Sequence, residues 1–160
     1  MNGWENFFIA EVSASAALLG LIFVGVSINL TRILSISGLP NRALLALIIL
    51  LTILVISSLL LVPEQISTLI GTEILVVGLI AWIIATSIDV SILRTRQRQY
   101  RLSYMVNIVL TQFALLPYII AGIIALTRGL GGLYWVVPAI IFSFTKAILD
   151  AWVLLVEINR

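Results

Sequence analysis

A long apolar run near the carboxyl end of the chain, Leu133–Ile158, limits the possible folds more than any other feature. A bilayer core about 30 Å thick is crossed by about 20 apolar residues in an α-helix, so this run is long enough to span it. It nevertheless carries Lys146 and Asp150 well inside. An ionisable group at such depth costs roughly 2.5–3.5 kcal/mol on insertion scales, and such groups are rarely without a role. The run therefore predicts a transmembrane helix that holds a charge pair within the membrane.

The composition of the whole chain predicts an integral membrane protein. Of the 160 residues, 62% are hydrophobic and 10% are charged, and the mean hydropathy is +1.23. A soluble domain of this size still exposes roughly 30% of its surface, so the solvent for most of this chain must be lipid. There is no Cys and no His, which excludes disulfides, thiolate chemistry and the commonest general base and metal ligand. We expect no metal and no cofactor.

Five apolar runs, separated by short polar connections, predict the architecture. Because a bilayer holds no water to satisfy the backbone, each spanning run must be a helix. Connections of about a dozen residues or fewer make consecutive helices antiparallel neighbours. We predict an all-α fold, a single transmembrane domain over residues 1–160, with five transmembrane helices in up-down topology at about residues 7–30, 43–62, 73–93, 104–126 and 133–158.

The basic residues predict the orientation of this bundle. If the amino terminus is outside, seven of the nine basic residues lie on the cytoplasmic side, as the positive-inside rule requires. We therefore predict a multi-pass protein with N-out/C-in topology. Four arginines of the third connection should set the topology and bind anionic lipid headgroups: Arg94, Arg96, Arg98 and Arg101. They are too few to indicate nucleic-acid binding, and no nucleic-acid motif accompanies them.

The first predicted helix concentrates small residues on one face. They recur at three- and seven-residue steps: Ser13, Ala16 (or Ala17), Gly20 and Ser27. Small residues let helix backbones approach closely in lipid, where packing replaces the hydrophobic driving force. This helix-packing face is predicted to contact a neighbouring helix of the same chain or to form a subunit interface, and the two are compatible.

Polar residues from four helices are predicted to lie at a similar depth in the inner half of the membrane. At a rise of 1.5 Å per residue, Lys146 lies about 20 Å, Asp150 about 25 Å and Asp89 about 24 Å from the outer ends of their helices. The other members of this polar layer lie about 10–14 Å from the inner boundary: Thr52, Thr111 and Gln112.

The sequence leaves more than one possible partner for Lys146 within the polar layer. Lys146 and Asp150 share a face at i, i+4 spacing and could pair. However, helical side chains lean toward the amino terminus of the helix, so Lys146 should lean away from Asp150. In addition, an i, i+4 ion pair is more favourable when the acid precedes the base, and here the acid follows it. Lys146 is therefore predicted to be free to meet a group on another helix, with Asp89 and Gln112 as the leading candidates.

A continuous stripe on the fifth helix combines these charges with further polar residues: Ser143, Lys146, Asp150 and Glu157. It faces either the bundle interior or an axis shared between subunits. Such an intramembrane pair can act only as a clamp that fixes helix order. Alternatively, the stripe lines an ion or proton path, with Glu11, about a turn below Phe7, at the outer mouth.

Enzyme chemistry is not predicted. Asp89 and Asp150 lie on different helices, as do the two aspartates of intramembrane aspartyl proteases, but their surroundings, SIDV and ILDA, lack the glycine-flanked GxGD pattern of that family. Without His there is no Ser–His dyad. No Gly-rich phosphate loop, metal cluster or dinucleotide fingerprint is present in the sequence.

Two segments resemble an uncharacterised family of small bacterial polytopic inner-membrane proteins: the first helix with its exit, AEVSASAALLGLIFVGVSINLTRIL, and the ending, DAWVLLVEINR. They cover about a quarter of the chain. The resemblance implies a location in the bacterial inner (cytoplasmic) membrane and says little about activity.

Two functions are consistent with these features. The first is a homo-oligomeric channel or transport-type protein with a polar path lined by the fifth helix. An oligomer is expected because a single bundle of 160 residues is small for a protein that forms a conduit by itself. The second is a non-catalytic partner or modulator, such as an assembly or protease-regulating factor, which docks on another membrane protein and whose charges only fix helix packing.

Overall fold

The structure, a computed structural model, describes the backbone of residues 3–95 and 101–158 and the side chains of residues 3–93 and 104–157. All regular secondary structure in these residues is helical, which confirms the predicted all-α fold class. In chain order the elements are α1 (Glu5–Ile28), α2 (Leu30–Ser35), α3 (Leu39–Leu59), α4 (Ser67–Thr95), α5 (Arg101–Arg128), a 3-10 turn (Gly129–Gly132) and α6 (Leu133–Ile158).

The helix ends differ from the predicted bounds where local chemistry extends the helix. α3 begins at Leu39 rather than at Ala43, because Pro40 is compatible with the first turn of a helix and Gly38, at φ 89°, supplies the left-handed turn before it. The short helix α2 lies within a segment predicted as a connection, where Ile33 is buried. α6 occupies the predicted residues 133–158.

The described residues contain four continuous helical stretches that are long and apolar enough to cross a membrane: Glu5–Ile28, Leu39–Leu59, Ser67–Leu93 and Tyr104–Glu157. The last contains 54 residues, because only the 3-10 turn separates α5 from α6. A straight helix of that length would extend about 80 Å, far beyond a bilayer core of about 30 Å. The two helices instead fold back on each other, and the Ser143 hydroxyl of α6 donates to the Ala114 carbonyl of α5 at 3.1 Å. Five membrane crossings and their orientation stay a prediction.

α4 and α5 pack so closely that glycine is required at the contact. A Cβ atom on Gly122 would lie 2.8 Å from the Cα atom of Leu75, and one on Gly71 would lie 2.8 Å from the backbone nitrogen of Leu126. These distances are shorter than any ordinary carbon contact, so only a glycine lets the two backbones approach to this distance. The predicted helix-packing face of small residues lies on α1, whereas the contact that requires glycine is between α4 and α5.

α3 is the central helix and α1 is the peripheral one. α3 packs against α1, α4 and α6, whereas α1 packs mainly along α3. In their most apolar windows, 50% of the residues of α3 are buried but only 11% of those of α1. The bundle therefore consists of α3 to α6 around one core, with α1 lying against its side.

The two ends of the bundle differ in chemistry. At the aromatic end, the ring of Trp4 contacts Tyr134 at 5.1 Å and Phe8 at 5.9 Å between centroids. At the opposite end, which we call the Arg42 end, α2 folds back so that Ile33 packs with Leu154 in a small separate cluster. Between the ends, large apolar side chains such as Leu21 and Trp152 are exposed on the outside of the bundle. Such a surface is typical of helices that face lipid.

Candidate functional site

Lys146 and Asp150 are buried inside a single chain. Their exposed fractions are 2% and 1%, and the Lys146 Nζ donates to Asp150 Oδ2 in a short ion pair. Arg42 of α3 places its Nη1 3.9 Å from Asp150 Oδ1, so one carboxylate lies between two cations from different helices. The stripe on α6 thus faces the bundle interior. Its buried residues therefore do not line an axis shared between subunits.

The pairing of Lys146 with Asp150 corrects the expectation that Lys146 would turn to another helix. Asp150 leans toward Lys146, as helix geometry requires, and the flexible stem of lysine lets its ammonium group reach back one turn. A buried ammonium without a counter-charge costs several kcal/mol, which outweighs the cost of an unfavourable side-chain direction. The need for a counter-charge therefore decides the partner.

Asp89 of α4 lies beside this pair and is also buried, with 2% of its surface exposed. The Asn107 amide of α5 donates to its Oδ1 at 3.2 Å, and Thr111 lies next to the same carboxyl group. Asp89 interacts electrostatically with both Lys146 and Asp150. We call these four ionisable residues the charge cluster: Arg42, Asp89, Lys146 and Asp150.

One oxygen of Asp89 has no hydrogen-bond partner among the described residues. This atom, Oδ2, is fully buried. Backbone and side-chain polar atoms that are buried in proteins are nearly always hydrogen-bonded, because each lost bond leaves a desolvation cost of about 1–3 kcal/mol, and more for a charged group. Among the described residues, two cations contact Asp150 and no cation contacts Asp89 directly.

Gln112 does not join the charge cluster, contrary to the prediction that it could bind Lys146. Its Oε1 accepts a hydrogen bond of 2.5 Å from the Trp82 indole nitrogen, and its Nε2 donates to the Thr86 hydroxyl at 3.2 Å. All three residues are half-buried between α4 and α5. The depth of Gln112 was sufficient to place it in the polar layer, but the depth of a residue does not determine which way its side chain faces.

The two threonines of the polar layer are buried and bonded within their own helices. Thr52 donates to the carbonyl of Ile48 at 2.8 Å, and Thr111 donates to the carbonyl of Asn107 at 3.1 Å. Thr111 adjoins Asp89, whereas no hydrogen bond among the described residues links Thr52 to the charge cluster. Only Thr111 therefore belongs to the immediate surroundings of the buried charges.

Polar groups continue from the charge cluster toward the aromatic end. Ser143 lies one turn before Lys146 on α6 and is buried. The Tyr118 hydroxyl lies near Ser143 and interacts electrostatically with Glu11 of α1. It is buried and has no hydrogen bond of ordinary geometry within the described part of the chain. Glu11, predicted as an outer mouth, is half-buried on α1.

A cavity opens beside the charge cluster at the Arg42 end. Its volume is about 130 Å³, enough for several water molecules. The wall includes Arg42 and Glu157, together with Ile92 and Tyr104, which follow Asp89 and precede Asn107 by one helical turn. Glu157, the last member of the α6 stripe, thus faces the same space as Arg42, and water in this space reaches one end of the cluster.

The predicted small face of α1 does not pack within the chain. Ser13, Ala16, Gly20 and Ser27 are all exposed, and the hydroxyls of Ser13 and Ser27 bond to carbonyls of α1 itself, at 2.9 Å and 2.8 Å. The expectation of intramolecular packing is therefore wrong for this face, because α1 contacts α3 along another side. The subunit interface stays a prediction.

The headgroup arginines lie mostly outside the described residues. Arg94 is in the last turn of α4 and Arg101 begins α5, but their side chains are not described, and Arg96 and Arg98 fall between the described ranges. Their predicted contact with anionic headgroups stays a prediction.

Three residues of the site were underestimated from the sequence: Arg42, Asn107 and Tyr118. None of the three was among the predicted members of the polar layer or of the α6 stripe. The relevant signal was their depth, since Asn107 lies opposite Asp89 in antiparallel helices and Arg42 lies in the first turn of α3, which faces Asp150. Within the described residues no three carboxylates, His or Cys side chains come close enough together to hold a metal ion.

The fold and the site define a class: an all-helical protein whose apolar helices are long enough to cross a membrane, with a largely buried charge cluster beside a cavity at one end. No protein-family model, curated protein or solved structure matches the chain. The resemblance to small bacterial inner-membrane proteins therefore stays a prediction.

Proposed function

We propose that this chain is a transport-type protein of the bacterial inner membrane, with five transmembrane helices and N-out/C-in topology, and that it moves protons or a small ion along a polar path inside each bundle. The observation that supports this most is the burial of three ionisable residues, Asp89, Lys146 and Asp150, next to a cavity lined by the half-buried Arg42. One carboxyl oxygen of Asp89 has no hydrogen-bond partner among the described residues. In this orientation the cavity opens to the cytoplasm.

A purely structural clamp would need less than this. One ion pair between helices, such as that of Arg42 on α3 with Asp150 on α6, is enough to fix α6 against the core, and a clamp is most stable when all its polar atoms are bonded. Here Lys146 and Asp89 add two more ionisable groups, and one Asp89 oxygen has no partner among the described residues. Intramembrane charges that are retained at such cost commonly mark ion pathways and proton relays.

The proposed path runs along α6. From the cavity it passes the charge cluster, then Ser143, then Tyr118, and it ends at Glu11 in the outer half of α1. Hydroxyl and carboxyl groups can pass protons among themselves and to bound water, and the cavity of about 130 Å³ excludes large solutes. A proton is therefore the cargo that fits this path best.

Proton flux into liposomes tests the proposal. Purified protein is reconstituted with a pH-sensitive dye inside, and a potassium–valinomycin potential drives protons inward. Wild type should acidify the lumen, and Asp150→Asn should abolish the flux because it removes the anion between the two cations. Glu64→Gln is the matched control, since it removes one carboxylate at an exposed loop position. Absence of flux of protons, Na⁺ or K⁺ from wild type would overturn the proposal.

The exposed small face of α1 supports the proposed homo-oligomer. Because the α6 path lies inside one chain, subunits would associate through their outer surfaces, and α1 is the least buried helix. A Cβ atom on Gly20 would meet nothing within 4 Å in its own chain. Any effect of a large residue there reports a contact with another molecule.

Gly20→Leu should therefore shift the protein from oligomer to monomer in native mass spectrometry from mild detergent. Small residues at helix interfaces allow close approach, which a leucine blocks. Ala14→Leu, on a different exposed face of α1, should leave the distribution unchanged. A wild type that is monomeric, or an equal response to both substitutions, would contradict the interface.

The second candidate function is a partner or modulator of another membrane protein. The same exposure of α1 favours it, because a foreign helix could occupy that face. The two candidates separate experimentally: a partner protein should show no flux in liposomes, and cross-links from Gly20→Cys should then join it to a different protein rather than to a second copy.

A further inference from the structure

We infer that Asp89 is the proton-carrying residue of the charge cluster, whereas Asp150 stays ionised as the fixed counter-charge of Lys146 and Arg42. The use of this proton in transport rests on the proposed function; the location of the proton does not.

Within the part of the chain whose side chains are described, the pairing of charges leaves Asp89 as the surplus acid. Lys146 is bonded to Asp150, and Arg42 lies 3.9 Å from the other oxygen of the same carboxylate. Arg42 also shares the cavity wall with Glu157. Both cations therefore have acidic neighbours without Asp89. A negative charge on Asp89 would be stabilised only by its longer-range electrostatic interaction with Lys146, without a direct ion pair.

The contacts of Asp89 from each neighbouring helix favour a neutral carboxyl group. From α5 it receives a neutral amide donor, Asn107, and lies next to Thr111. From α6 it faces Lys146, which is already paired, and the negative Asp150. α3 contributes one member of the charge cluster, Arg42, and its guanidinium group is directed to Asp150. A buried ionised carboxylate with an unbonded oxygen is costly, and protonation removes that charge.

The proton can reach Asp89 from water. Ile92 and Tyr104, which line the cavity at the Arg42 end, lie one turn from Asp89 and from Asn107. A hydronium ion in the cavity donates the proton: one of its O–H bonds breaks, an O–H bond forms at Asp89 Oδ2, and a water molecule and a neutral carboxyl group result. On release the O–H bond at Asp89 breaks and the proton forms a new O–H bond with water or with the next group of the path, which restores the carboxylate.

Infrared spectroscopy of the reconstituted wild-type protein tests the assignment, because protonated carboxyl groups have a C=O stretching band that carboxylates lack. At neutral pH the wild type should show such a band. Asp89→Asn should remove its main component, and the double variant Lys146→Met/Asp150→Asn, which removes both charges of the ion pair together, should retain it. Asp89→Glu should shift the band without removing it, and Asn is isosteric with the neutral acid, so the fold is retained. Helicity by circular dichroism confirms the fold of each variant.

Loss of the band in the double variant Lys146→Met/Asp150→Asn together with its persistence in Asp89→Asn would overturn the assignment, as would the absence of any protonated carboxyl band in wild type. The outcome is separate from that of the flux experiment. If liposomes show no flux but the band depends on Asp89, the proton site stands and the transport function fails. If wild type conducts and Asp89→Asn conducts equally well, the function stands and the role of Asp89 fails.

Discussion

Replacing Lys146 by methionine is expected to lower the free energy of unfolding by about 3–5 kcal/mol. The substitution keeps most of the side-chain volume but leaves the buried Asp150 with only Arg42, at 3.9 Å, as its counter-charge. Unfolding can be followed by circular dichroism during titration of SDS into mild-detergent micelles. Leu149→Met, an exposed position on the same helix, is the control and should change the stability by less than about 0.5 kcal/mol.

The double variant Lys146→Met/Asp150→Asn should recover most of that loss. It removes both charges of the pair, and replacing a buried pair together is often neutral, whereas removal of one partner leaves an unpaired charge. The Asn side chain keeps an oxygen for Arg42. If the effects of the two single substitutions instead add in the double variant, the pair is not coupled as the structure indicates.

The same double variant separates a clamp from a path. A protein in which the charges only fix helix packing should regain both its stability and its activity when the pair is replaced together. A protein that conducts through the charge cluster should regain stability but not proton flux. Flux that survives in the folded double variant would therefore contradict the proposed path through Lys146 and Asp150.

Gly122→Ala is expected to destabilise the bundle by about 1–3 kcal/mol, as overpacking does in well-packed cores. The new Cβ would lie 2.8 Å from the Cα, Cβ and backbone nitrogen of Leu75. Because these atoms belong to the rigid backbone region of α4, the two helices must move apart along their contact. The measurement is again titration with SDS, with the midpoint and slope compared with those of wild type.

The matched control is Gly20→Ala in α1, where a Cβ atom meets nothing within 4 Å. It should leave stability unchanged or raise it by up to about 1 kcal/mol, since alanine is the better helix former. Equal destabilisation by both substitutions would show that the effect is not steric and would contradict the close approach of α4 and α5.

The apolar runs were sufficient to predict the helices but not their ends. Hydropathy identifies which residues lipid or core can accept, and α6 occupies the predicted range. It does not show that Pro40 and Gly38 allow α3 to begin earlier, or that the residues after α1 form α2. Such ends depend on backbone conformation and on contacts such as that of Ile33 with Leu154, which no local pattern encodes.

The depths calculated from the helical rise predicted that Lys146, Asp150 and Asp89 lie at one level, and the structure places these residues together. The partner of Lys146 was predicted less well, because side-chain direction was weighed without the cost of an unpaired buried charge. The direction of Gln112 depends on the rotation of α5 about its axis, which is set by the close contact at Gly122. Rotation follows from packing between helices and therefore could not be derived from depth.

The spacing of Lys146 and Asp150 on one helix also has a consequence for biosynthesis. Because the two side chains pair within a single turn of α6, this segment carries its own neutralising partner as it leaves the ribosome and enters the lipid. Its insertion does not depend on Arg42 or Asp89, and a helix with balanced charge can join the helices that precede it in the chain. Moving the acid to a different helix would leave the lysine to cross the translocon alone, at roughly the full 2.5–3.5 kcal/mol of an isolated charge.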